Sequence, residues 1–185
     1  MKLKIVIILV IGLCEAGTHS FADVAVGVKN FRQLFDSYVV ITGVNALDTE
    51  VQQTYQATMT RLPKDSDVEQ LTTPMVLGVA SLGGVFCKKM IANDAAKTDV
   101  TTRRAHTKVD FTKGPADLSD EIKKSVITEY AGLFWQRTPT DEEQAALLEV
   151  FSGAATGTVG TPAETTAVLR ATCASVASSL NTIIK

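Results

Sequence analysis

Apolar residues recur along this chain at three- and four-residue spacing, in blocks separated by capping and breaking residues. Phe31, Leu34, Phe35, Tyr38 and Ile41 form one stripe, which predicts a helix over 28–41. Gly43 and Asn45 then supply a break, since both tolerate positive φ. Asp48 or Thr49 caps a second helix, in which Val51, Tyr55, Met59 and Leu62 share a face and Pro63 follows the end. Ser66 with Glu69 has the spacing of a capping box for a short helix through Leu71. Thr73-Pro74 opens the next helix, with proline in the first turn where its missing N–H does no harm. From Met75 to Met90 that helix is apolar almost all round, so it is expected at the centre of the fold. Gly83-Gly84 inside it predicts close approach of a neighbouring backbone, because each glycine costs a helix ~1 kcal/mol against alanine.

Between Asn93 and Ala116 the pattern fails. Thr, Asp, Lys and Arg dominate and Gly114-Pro115 falls near the end, which predicts a long surface loop near 93–118. Helical spacing resumes after Ser119, an N-cap followed by Asp120 and Glu121. Ile122, Val126, Tyr130, Leu133 and Phe134 make its stripe. Thr140 with Glu143 caps a further helix that buries Leu147, Leu148 and Phe151. A small-residue linker runs from Gly153 to Thr161. Thr161-Pro162-Ala163-Glu164 starts the last helix, expected to bury Val168, Leu169, Cys173, Val176 and Leu180. No stretch sustains a period of two between hairpin turns. The expected fold is all-α, a single-domain bundle of six or seven helices over 23–185.

The first residues add an address. Lys2 and Lys4 precede an apolar run from Ile5 to Leu13, shorter than the ~20 residues that span a bilayer, and Ser20-Phe21-Ala22 offers small residues for cleavage before Asp23. The pattern predicts a signal peptide over 1–22 and an exported product, periplasmic or extracellular and at the cell surface. Cys14 invites a lipoprotein reading, which the bulky Leu13 disfavours; an uncleaved anchor is the other alternative. After cleavage Cys87 and Cys173 are the two cysteines left, so an oxidising compartment predicts a disulfide between them, with two separate buried thiols as the alternative.

Composition narrows the chemistry. The 185 residues are 45% hydrophobic and 21% charged with a net charge of −2, which excludes collagen-like, disordered and small disulfide-framework chains. Mild acidity argues against nucleic acid as a partner. One histidine in the mature chain is too few for an imidazole metal site. The acids at Asp65, Asp67 and Glu69, and at Asp141, Glu142 and Glu143, match no calcium loop and suit helix first turns. No phosphate-binding glycine loop, nucleophile elbow or Cys-x-x-Cys-His occurs. No catalytic residue, metal ligand or cofactor is assigned. The sharpest local anomaly is the basic set Lys97, Arg103, Arg104, His106, Lys108 and Lys113, set against Asp99 and Asp110 in an acidic chain. It is a candidate partner-contact surface, with a solvated loop balanced by neighbouring acids as the alternative. Trp135 is expected in the core, with an interface anchor as its alternative.

Two stretches carry a resemblance. Val40-Ile41-Thr42-Gly43-Val44, Val51, Thr54-Tyr55, Leu62-Pro63 and Cys87 resemble an uncharacterised group of exported bacterial helical proteins, in which a related region stands beside a laminin-G-like domain. Arg137-Thr138-Pro139-Thr140-Asp141-Glu142-Glu143 through Leu169-Arg170-Ala171-Thr172-Cys173 is similar to a helical domain of unknown function from large secreted bacterial proteins, some of which carry haem-c modules. These resemblances imply an envelope or extracellular setting and no reaction. The expected function is therefore a non-enzymatic interaction or structural subunit of an envelope or extracellular assembly, its partners other such proteins or copies of itself, with no membrane span after cleavage. The alternatives are an envelope carboxylate-dependent hydrolase of a sugar polymer and an accessory to a redox or haem-bearing partner.

Overall fold

Each helix begins where its capping chemistry places it. In the computed structural model, residues 29–60, 72–154 and 160–183 are described. The leader and the Ser66–Glu69 box lie outside them. Helix α1 spans Phe31–Thr42: Asn30 and Gln33 close a capping box that fixes the start three residues later than the stripe predicts, and Gly43 at φ 67° ends it. Helix α2, Thr49–Met59, is capped by the Asp48 carboxylate through the amides of Glu50 and Val51. It buries Val51 and Thr58, while Met59 turns outward.

Helix α3, Thr73–Ala95, starts one residue earlier than the proline signal and runs five residues past Met90, through Asn93 and Asp94. Propensity explains the extension: nothing between Met90 and Ala95 breaks a helix, and the polar residues there were mistaken for loop. Helix α4 spans Asp120–Phe134, α5 Asp141–Ala154, α6 Pro162–Ala177 and the single turn α7 Leu180–Ile183. No strand occurs among the described residues, and the fold is all-α.

Helix α3 is the hub: α1, α2 and α6 pack on it, and α4 and α5 pack on α6 from beyond. It is long and apolar enough to cross a membrane by length and composition, yet more than half of that stretch is buried within the fold. One seam of the core is aromatic. Phe31 and Phe35 of α1 meet Tyr55 of α2 at 5.5 and 4.5 Å between ring centroids. Phe35 and Tyr38 then meet Phe86 of α3, each at 5.6 Å, and Tyr38 meets Phe134 of α4 at 5.9 Å. The other seam joins α3 to α6. Cys87 and Cys173, fully buried, are linked as a disulfide with Cα atoms 5.8 Å apart. One turn away a Cβ on Gly83 would sit 3.1 Å from the Ala177 Cβ, so here a glycine does mark close approach of a neighbour. Gly84 behaves differently: nothing among the described residues lies within 4 Å of the space its Cβ would take.

The final helix is shorter than expected. It ends at Ala177 because the Ser178 and Ser179 hydroxyls bond back to the carbonyls of Ala174 and Val176. Leu180, expected in the core, is on α7 and 56% exposed. The Trp135 indole explains the turn's position, donating from Nε1 to Ser179 Oγ at 2.7 Å and Val176 O at 3.2 Å. Arg137 lies over its ring.

Candidate functional site

The segment between α3 and α4 is irregular and largely exposed, as its sequence predicts, but part of it enters the core. Ala105, His106 and Val109 are buried, and His106 is 0% exposed. Two 3-10 turns, Val100–Thr102 and Pro115–Asp117, bracket the inserted stretch. The physical reason lies in Asp94, on the last turn of α3 and itself fully buried. Its Oδ1 accepts from the Arg104 amide at 2.8 Å and from Lys97 Nζ at 3.2 Å; its Oδ2 accepts from the Ala105 amide at 2.9 Å and faces His106 Nδ1 at 2.9 Å. A carboxylate that receives this many donors draws the chain down onto itself. His106 adopts φ 62°, a conformation uncommon outside glycine. Its amide donates to Glu129 Oε2 of α4 at 2.6 Å, which holds that turn in place.

The imidazole continues the chain. Nε2 lies 2.5 Å from the Tyr130 hydroxyl, which also lies 3.3 Å from Leu169 O on α6. The phenol has one hydrogen and the shorter contact is to Nε2, so the network assigns the ring hydrogen to Nδ1, donated to Asp94. Burial works against an ionised Asp94. The bonds from His106, Ala105, Arg104 and Lys97 outweigh it and hold the carboxyl down at about 2. Tyr130 is pushed up, first by burial and then by the charges of Glu129 and Asp94, so its hydroxyl stays a donor.

Carboxylate, imidazole and hydroxyl in line are the order of a nucleophilic relay. Here Asp94, His106 and Tyr130 are each 0% exposed, and the hydroxyl is enclosed between the imidazole and the Leu169 carbonyl. What the arrangement does is mechanical: it joins α3, the connecting segment, α4 and α6 through a fully bonded buried network. Sequence reasoning placed His106 in a charged loop and missed Asp94 and Tyr130 as its partners. The signal was an acid on the same helical face as Met90 and Ile91, twelve residues before the histidine.

The basic set divides on this geometry. His106 is not on the surface: it is buried against Asp94 and Tyr130. Lys97 pairs with Asp94 and the Thr102 carbonyl. Arg103 donates to the carbonyls of Lys97, His106 and Val109 and lies over the Phe111 ring, its Nε the one buried side-chain nitrogen or oxygen without a hydrogen bond among the described residues. Arg104 reaches back to the Val40 and Ile41 carbonyls, where a cation suits the C-terminal end of α1. Lys108 and Lys113 remain exposed, beside Glu121 at 3.5 Å and Asp110 at 3.8 Å. The structure does not bring the six together as one outward-facing patch.

The acids of the α5 start also have a local use. Glu143 accepts both Arg137 guanidinium nitrogens at 2.6 and 2.7 Å and the Thr140 amide at 2.9 Å. Arg137 chiefly holds its carboxyl down at about 2. No group of three or more His, Cys, Asp or Glu suited to a metal ion occurs among the described residues.

A different feature faces solvent. Helices α2 and α6 both lie along α3 with a trough of about 710 Å³ between them. Glu50, Thr54, Ala57 and Thr58 form one wall; Ala167, Arg170, Ala171 and Ala174 form the other; Ser81, Gly84, Val85 and Lys88 form the floor. Lys88 bonds Glu50 at 2.6 Å, and Lys89 bonds Asp48 at 2.9 Å and approaches Glu50 to 3.3 Å. No hydrogen bond or ion pair engages the Arg170 side chain among the described residues. No family model matches this chain, and no curated protein or solved structure matches it.

Proposed function

We propose that this protein is an exported, disulfide-bonded helical subunit that acts by presenting a surface within an envelope or extracellular assembly, and not by catalysis. The observation that carries the reading is the fate of the Asp94–His106–Tyr130 chain. The residues best suited to acid–base or nucleophilic work are sealed from solvent, and their polar atoms are bonded within the fold. A general base must reach the proton that it abstracts. The Cys87–Cys173 bond supports an oxidising compartment, since such bonds persist outside the reducing cytosol. The leader pattern and the resemblance read in two stretches of the sequence point the same way. Chemical cross-linking of intact cells followed by denaturing electrophoresis of the envelope and medium fractions tests it. A discrete adduct larger than the monomer is expected; a chain that stays monomeric in every fraction would contradict the reading.

A further inference from the structure

The two glycines of α3 differ in a way that points outward. Gly83 is required by Ala177 of α6, which its Cβ would crowd. Gly84 carries the same cost in helix propensity, and nothing in the described fold occupies the space beside it. That space is the floor of the trough between α2 and α6. Its walls are mostly alanine and threonine, so a third backbone can descend onto α3 between them. The lining residues run over 50–58, 81–88 and 167–174, so the trough follows about two turns of each helix, roughly 10 Å at 1.5 Å per residue. It is open along its length. This is the shape left when one rod is removed from a bundle, whereas small-molecule sites enclose most of their ligand.

Charge selects the occupant. Inside the trough Glu50 is neutralised by Lys88, with Lys89 beside it, and the guanidinium of Arg170 is left without a counter-charge. The α3 face continues past Ser81 to Leu77, which is 63% exposed, so an apolar step adjoins the charged one. Resting on the reading of this chain as an interaction subunit, we propose that the trough receives a helix of a partner protein. That helix lays small residues over Gly84, an apolar side chain toward Leu77, and a carboxylate against Arg170. Anchors one or two turns apart on one helix face are the usual grammar of helix-in-groove recognition. An Arg–carboxylate pair there fixes register as well as charge.

The test uses the oxidised full chain and two alanine-rich 15-residue helical peptides, identical except for Glu or Lys at the central position, titrated by fluorescence anisotropy. The Glu peptide is expected to bind at least ten-fold more tightly than the Lys peptide. Arg170→Glu is expected to invert that preference and Arg170→Gln to abolish it. Gly84→Leu, whose side chain enters empty space, is expected to weaken both peptides at least ten-fold while the melting temperature holds. Equal affinity for the two peptides, a preference that survives Arg170→Glu, or binding indifferent to Gly84→Leu would overturn the proposal. Self-association of the chain that Gly84→Leu abolishes would also overturn it, by assigning the trough to a second copy. Cross-linked assemblies with no peptide discrimination would remove this inference alone. Discrimination without assemblies would instead remove the subunit reading.

Discussion

Helix α3 is closed at its C-terminal end and open over its α2–α6 face, and the two regions invert what their residues advertise. The closed end holds an aspartate, a histidine and a tyrosine in line, the vocabulary of catalysis, and each is fully buried and bonded within the fold. The open face is walled by alanines and threonines over a glycine, with one arginine side chain unpaired among the described residues. Residue type alone would have placed function at the first and packing at the second. Burial and hydrogen bonding reverse that order, because a polar group contributes to binding or chemistry only where something outside the fold can reach it.

The comparison is broken most severely at the α3–α6 seam, on which both regions depend. Reducing Cys87–Cys173 opens a link between residues 86 apart in sequence, and chain entropy puts the loss at about 4–5 kcal/mol. Urea titration with and without reductant should show the midpoint falling strongly. An unchanged midpoint would mean that packing alone holds the seam.

Next in size is the closed end. Asp94→Ala leaves the Arg104 and Ala105 amides and the His106 imidazole without their acceptor in a dry site, which costs about 3–5 kcal/mol. It should also release the 96–119 segment, visible as faster amide exchange there than in α1 or α2. Uniform destabilisation without local release would contradict the role assigned to Asp94.

Acid probes the same site more gently. An unfolded aspartate titrates near 3.8, and Asp94 in the fold at about 2, so the folded state favours the ionised form. The resulting stability, on the order of 2 kcal/mol, is complete above about pH 4 and is lost as pH falls through 2. Glu143, also held at about 2 by Arg137, adds a smaller loss in the same direction because it is partly exposed. Asp94→Asn should flatten the dependence between pH 4 and 2 more than Glu143→Gln does. The reverse ranking would move the main acid-sensitive site to the start of α5.

The smallest effect discriminates most finely between the two faces. Gly83→Ala forces its Cβ against Ala177 and should destabilise, whereas Gly84→Ala meets open space and should stabilise by about 0.5–1 kcal/mol. Thermal melts of the two variants should move in opposite directions.

Most helix starts were legible because capping is local: Asp48, Ser119, Thr140 and Thr161 all lie at or beside the beginnings of helices, and their hydrogen bonds reach only two or three residues. The disulfide was legible from counting, since two cysteines remain once the leader pattern is set aside. The closed end was not. Helical spacing puts Asp94 on the buried face of Met90 and Ile91, but nothing local names what it meets: His106 is 12 residues on and Tyr130, which His106 meets in turn, is 36 residues on, beyond the range of any pattern rule. The carbonyl partners of Arg103 and Arg104 were not legible for a related reason: an arginine that caps a carbonyl and one that meets only solvent look alike in sequence. The trough could be foreseen only in part. Gly83-Gly84 announced close approach, but that the neighbour is present for one glycine and missing for the other is a fact of packing.

The most direct test of the account follows the Gly84→Leu chain in its own cells, using the cross-linked adduct as the readout. The account predicts an oxidised protein that melts no lower than the unsubstituted chain yet runs as a monomer. A Gly84→Leu protein that still forms the full adduct would contradict the assignment of the open face of α3 as the place where this protein meets its partner.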